Sequence, residues 1–175
     1  MTDYDFYKNK FERELNRRND LDSAINNPIA GITIIVGLIS YILSKNDFKI
    51  WNYIDCIVST VLVISTITSL IALFYIFLSN NNLFKGFNYL NFGLLKDYRI
   101  CQKEIVEYNK KVINEDDKKE FESEIIDKII SYSDNHTIIN DKRAFDLYKS
   151  RQFVVISFIL TIFNLIIITI NNFKI

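Results

Sequence analysis

Charged residues are absent from three windows of this chain, 28–44, 56–79 and 152–173, and crowd into the rest. As helices these windows measure about 25, 36 and 33 Å, against the ~20 apolar residues that cross a bilayer. The second and third suffice alone. The first gains the length it needs from the uncharged stretch that begins at Ser23. Three such windows in 175 residues predict membrane-spanning helices, not three buried helices of a soluble bundle.

Outside the windows, apolar positions recur at helical spacing. Tyr4, Tyr7, Phe11 and Leu15 share a face of the N-terminal arm. Leu94, Tyr98, Cys101, Ile105, Tyr108 and Val112 form a second face, and Phe121, Ile125, Ile129 and Tyr132 a third. Asn114, ahead of Glu115, Asp116 and Asp117, reads as a helix start. "SYSDNHT" (131–137) reads as a break, and a last helix from about Asn140, with Phe145 and Tyr148, feeds the third window. Asn27 precedes Pro28, which predicts a bend there, with a kinked continuous helix as the alternative because membrane helices tolerate proline. The expected fold class is therefore all-α: an integral membrane protein with three transmembrane helices and an N-terminal amphipathic helix. Its divisions are a cytoplasmic helix (1–27), a transmembrane hairpin (28–79, spans 28–44 and 56–79), a small cytoplasmic helical domain (80–151) and a third span (152–173).

Small and polar residues inside the spans are not scattered. Asn26, Ala30, Thr33, Gly37, Ser40 and Ser44 follow one another at four, three, four, three and four, and Asn16, Asn19 and Ser23 extend the lane upstream. Such 3.5-residue spacing marks a helix seam. Small residues let membrane helices approach closely. The same lane, repeated around an axis by several copies, would face water. The third span carries a second lane, Ser150, Ser157, Thr161, Asn164 and Asn171, completed by Val154 and Ile168. Asn164 matters most, because an amide near mid-membrane needs a partner. Ser59, Thr60, Ser65, Thr66, Thr68 and Ser69 spread around the second span, and because such hydroxyls can bond back to their own helix they mark no lane.

Charge adds orientation. With 21 basic and 21 acidic residues, the chain as a whole has no electrostatic preference for a partner. Lys and Arg within about 15 residues of the spans are uneven. Arg13, Arg17, Arg18, Lys85, Lys142, Arg143, Lys149 and Arg151 lie on one side, and Lys45, Lys49 and Lys174 on the other. Eight against three places the N-terminus and 80–151 in the cytoplasm and the C-terminus outside, in a bacterial inner membrane. Phe48, Trp51 and Tyr53 would mark the outer boundary, and Phe84, Phe87, Tyr89 and Phe92 the inner one.

Enzyme chemistry finds no support. The two cysteines fall on opposite sides of the membrane, the four glycines are dispersed, and no metal-ligand spacing occurs, so neither cofactor nor metal is expected. The one histidine, His136, is placed in a solvated loop. Basic pairs at Arg17/Arg18, Lys110/Lys111, Lys118/Lys119 and Lys142/Arg143 are candidates for an anionic ligand, with Tyr98, Tyr108 or Tyr148 to stack on a base. Scattered solubilising charge amid equal acid is the simpler account of any single pair.

The stretch "YDFYKNKFERELNRRNDLDSAINNPIAGITIIVGLISYIL" resembles small helical membrane effectors of bacterial anti-phage operons, the SLATT-type effectors and the Hailong-type channel effector. There, a charged helix with an Arg-, Asn- and Leu-rich end feeds a short first span. The resemblance covers residues 4–80 by layout. It implies a homo-oligomeric channel, a tetramer or similar, or a membrane-disrupting unit, that is held closed until phage infection and whose opening depolarises the cell. Its partners would be the lipid bilayer, further copies of itself, and a nucleotide, short nucleic acid or protein signal, or the enzyme that makes that signal. The alternative expectation is a non-conducting membrane scaffold that docks a cytoplasmic partner.

Overall fold

The computed structural model describes residues 2–45 and 53–172. It is all-helical, with no strand among those residues. In chain order the helices are α1 (Asp3–Ala24), α2 (Asn26–Lys45), α3 (Tyr53–Asn81), α4 (Leu95–Asn109) and α5 (Phe121–Asn172), with one 3₁₀ turn at Glu115–Asp117. Three helical stretches are long and apolar enough to cross a membrane. Phe48, Lys49, Trp51 and Lys174 lie outside the described residues.

Local chemistry explains the helix ends. Thr2 caps α1: the Asp5 amide donates to Thr2 Oγ1 (3.2 Å), and the Thr2 hydroxyl and amide donate to the Asp5 carboxylate at 2.8 and 3.3 Å. That hydroxyl holds the Asp5 carboxyl below its ordinary range. The break between α1 and α2 falls at Ile25, not at Asn27. Pro28 is the third residue of α2, inside the first turn, where a missing N–H forfeits no intrahelical bond.

α5 corrects two expectations. The motif "SYSDNHT" is helical, and α5 runs unbroken over 52 residues instead of starting near Asn140. Its polar residues, which elsewhere compete for backbone groups, have other occupations here. Asn135 Oδ1 accepts the Leu90 amide (2.9 Å) and His136 Nε2 pairs with the Leu90 carbonyl (2.9 Å), while Thr137 bonds back one turn to the Ser133 carbonyl (2.9 Å), which a helix tolerates. His136 is fully buried, not solvated. The helix start expected at Asn114 is only the 3₁₀ turn; α5 begins at Phe121.

The chain forms two compact units. One comprises Met1–Asn19 and Phe87–Asp141. Its centre is aromatic: Phe11 meets the Phe92 and His136 rings edge-on, each at 5.3 Å, and Phe92 meets Tyr132 at 5.1 Å. An irregular segment before α4 is laid on α5 by the Leu90 bonds above and by Tyr89, whose hydroxyl donates to Asn140 Oδ1 (2.8 Å). Asn140 in turn donates to the Glu14 carbonyl (2.9 Å) and carboxylate (3.2 Å).

The other unit comprises Asp20–Gly86 and Lys142–Ile175. One apolar cluster joins Leu21, Ile25, Ile32, Ala72, Ile76 and Leu147, and another joins Ile42, Val58, Leu62 and Ile168. α3 buries Val58, Leu62, Ser65, Ser69, Ala72, Ile76 and Ser79, alternating steps of four and three. Small residues on that face bring α3 close to α5.

Candidate functional site

The two polar lanes part company in the folded chain. On α2 the bundle takes Pro28, Ile32, Ile35 and Ile42. The lane lies two residues further round, about 200° away. Asn26, Ala30, Thr33, Gly37, Ser40 and Ser44 are all exposed. Thr33 donates to the Ile29 carbonyl (3.0 Å) and Ser44 to the Tyr41 carbonyl (2.8 Å), so these hydroxyls are satisfied within the helix. The lane is therefore not a seam inside the chain.

On α5 the lane faces inward. Ser150, Ser157, Thr161 and Asn164 are completely buried. Ser157 donates to the Ser65 carbonyl (2.8 Å), and its Oγ lies 2.7 Å from Ser69 Oγ and 2.9 Å from Ser65 Oγ. Ser65 Oγ reaches Thr161 Oγ1 at 2.7 Å. This is the seam role for Ser157 and Thr161. Thr60, Thr66 and Thr68 bond back to their own helix, whereas Ser65 and Ser69 cross to α5. Asn164 has no partner for either amide atom. Ten residues before Asn164 on α5, Val154 sits so close to Gly31 that a Cβ added to the glycine would stand 2.7 Å from Val154 Cγ1.

The basic candidates have mostly been spent on structure. Arg17 donates to Asp141 (2.6 Å), which keeps its guanidinium still more firmly protonated, and it pairs with Glu14 at 3.5 Å. Arg18 lies over the Tyr89 ring at 4.5 Å. Arg143, a candidate for an anionic ligand, is buried: it is ion-paired with Asp22 and donates to the Ser79 carbonyl (2.7 Å), while Ser79 Oγ donates to the Arg143 carbonyl (2.9 Å). Desolvating a guanidinium demands such a counter-charge. Lys142 reaches Asn82 Oδ1 at 3.4 Å. Lys118 is ion-paired with Glu115, and Lys119 sits 5.5 Å from the Tyr108 ring. Lys110 and Lys111 are exposed. Asn109 and Lys119 exchange two hydrogen bonds, 2.8 and 3.0 Å, closing the link between α4 and α5. The 240 Å³ cleft that includes Lys119 and Tyr108 is also lined by Glu104 and Glu124, so it is no cradle for an anion.

Sequence reasoning missed the upstream part of the buried polar lane of α5, from Ser133 to Arg143. Ile129, Ser133, His136, Asn140, Arg143, Leu147, Ser150, Val154, Ser157, Thr161, Asn164 and Ile168 follow one unbroken alternation of four and three. All are buried except Val154, which is half-buried. The signal was present: the lane seen from Ser150 onward extends upstream at the same spacing, through the motif read as a break. Asp146 is also buried, with Oδ2 unpartnered, and desolvation raises its carboxyl above the ordinary value. No group of three metal-ligating side chains occurs among the described residues.

No family model, curated protein or solved structure matches the chain.

Proposed function

We propose that the chain is the subunit of a homo-oligomeric membrane pore, with α2 turned toward the axis and the unit built from 1–19 and 87–141 on the cytoplasmic side. One observation carries this reading: the small and polar face of α2 points away from the chain's own bundle. In lipid, a face of Ala30, Thr33, Gly37, Ser40 and Ser44 gains little from hydrocarbon, but it permits close approach of a second helix or contact with water. The α5 lane, turned inward, serves the single chain and would not line the pore. A cytoplasmic signal would gate the pore by binding one conformation better than the other, and the outcome would be depolarisation of a bacterial inner membrane in anti-phage defence.

The test is current across planar bilayers from the purified chain, with and without nucleotide or short DNA, for the wild type and Thr33→Leu. A pore lined by α2 loses at least tenfold in conductance on Thr33→Leu while its oligomer survives cross-linking. Loss of the oligomer itself would show that the lane is a packing seam, as in the scaffold alternative. Absence of current under every condition would sink the pore.

A further inference from the structure

We propose that α5, where it enters its uncharged stretch, binds an anionic phospholipid, with the phosphate on Lys149 and Arg151 and an acyl chain on Phe153, Val155 and Ile156. A groove of about 530 Å³ lies along α5 here. The residues that line it span Tyr148 to Ile156, about 12 Å along the helix axis. Its ends differ in chemistry: Tyr148, Lys149, Arg151 and Gln152 make one, and the three apolar residues the other. The change falls where the uncharged window begins, at residue 152. The proposal rests on the apolar helices crossing a membrane, and in that setting the groove passes from headgroups into hydrocarbon.

The polar end suits an anion. Arg151 is exposed and Lys149 half-buried, and neither has an ion-pair partner among the described residues. In this they differ from Arg17 and Arg143, whose counter-ions lie within the chain. Lys149 Nζ has the Phe145 ring at 5.5 Å, a contact that leaves its hydrogen-bond donors open. Gln152 Nε2 donates to the Tyr148 hydroxyl (2.9 Å), which keeps its own proton for an acceptor. Asp146 is buried, and no acidic residue follows it in the chain. The apolar end decides which anion. Val155 and Ile156 are exposed, and Phe153 is fixed by stacking on Tyr75 of α3, 5.8 Å between centroids and 10° between planes. A soluble phosphate or nucleotide would leave this half of the groove uncovered. A phospholipid carries phosphate and hydrocarbon in the order in which α5 presents cations and apolar side chains, and long basic side chains reach toward headgroups from a helix end.

The test is the lipid that the full chain retains, measured by mass spectrometry after reconstitution in phosphatidylcholine vesicles with a minor share of phosphatidylglycerol and re-extraction in mild detergent. A cation at a headgroup favours an anionic lipid by about fivefold, so the wild type should retain phosphatidylglycerol at least about fivefold above its share. The double variant Lys149→Gln with Arg151→Gln should return it to that share. Lys85→Gln, which removes an exposed cation outside the groove, should leave the enrichment unchanged. Retention at the bulk share in the wild type overturns the proposal, as does enrichment that survives the double variant or falls as far in Lys85→Gln. Glycerol phosphate added at extraction should not displace the lipid; displacement would mark a soluble-anion site and overturn the assignment. Should the double variant fail to fold, each single variant must lose enrichment for the proposal to stand. Enrichment without bilayer current removes the pore reading alone, and current without enrichment removes this one alone.

Discussion

Gly31 and Gly37 lie on one helix, yet their surroundings assign opposite signs to the same substitution. A Cβ on Gly37 meets nothing within 4 Å; one on Gly31 meets Val154 Cγ1 at 2.7 Å. Gly→Ala in a helix interior gains about 1 kcal/mol from backbone entropy. Forcing an extra methyl into packed structure costs about 1–3 kcal/mol. Val154 cannot swing aside cheaply, because a β-branched residue in a helix has one strongly preferred χ1. Gly37→Ala should therefore stabilise by up to about 1 kcal/mol, while Gly31→Ala should destabilise by about 1 kcal/mol. Val154→Ala alone removes half-buried methyls and costs about 1 kcal/mol. Combined with Gly31→Ala it removes the clash, and the double variant should be more stable than the sum of the two by about 1–2 kcal/mol, a coupling expected of residues in contact. Thermal unfolding of the purified chain in mild detergent, followed by circular dichroism, resolves this, since 1 kcal/mol corresponds to about 2–4 °C at this chain length. A Gly31→Ala chain as stable as Gly37→Ala, or one that Val154→Ala does not rescue, would refute the packing described for α2 and α5.

Two further outcomes follow from buried charge. Asp22→Ala withdraws the counter-ion of buried Arg143 and should destabilise by about 1–3 kcal/mol, measurable in the same unfolding assay; Arg143→Lys, which lacks the planar fork, should not restore the loss. Asp146 binds its proton more tightly folded than unfolded, because burial raises its carboxyl above the ordinary 3.8. Its contribution to stability is therefore complete below that value and is lost as pH rises through the raised one. Asp146→Asn should be more stable than wild type at neutral pH, and the advantage should vanish near pH 4 in a pH series of melting temperatures; an advantage independent of pH would contradict the assignment.

Helix content and the three membrane-length segments were legible in the residues alone, because charge is excluded from hydrocarbon whatever the tertiary arrangement, and α3 and the α2 window appear where the uncharged windows fall. The same holds for the small and polar lanes, which are properties of spacing. Direction was not legible. Two lanes with the same 3.5-residue period face opposite ways: on α2 the bundle buries Ile32, Ile35 and Ile42 and leaves Thr33 and Ser40 outside, whereas on α5 it buries Ser157, Thr161 and Asn164 against Ser65 and Ser69. Period records that a face exists, and only the neighbouring helix chooses which face it covers. The motif around His136 failed for a related reason: its local preference for a turn was overridden by the Leu90 amide and carbonyl, which pair with Asn135 and His136 across 45 and 46 residues of chain. Arg143, Asp22 and Ser79, far apart in the chain, acquire their meaning only when a buried guanidinium must find a carboxylate and a carbonyl.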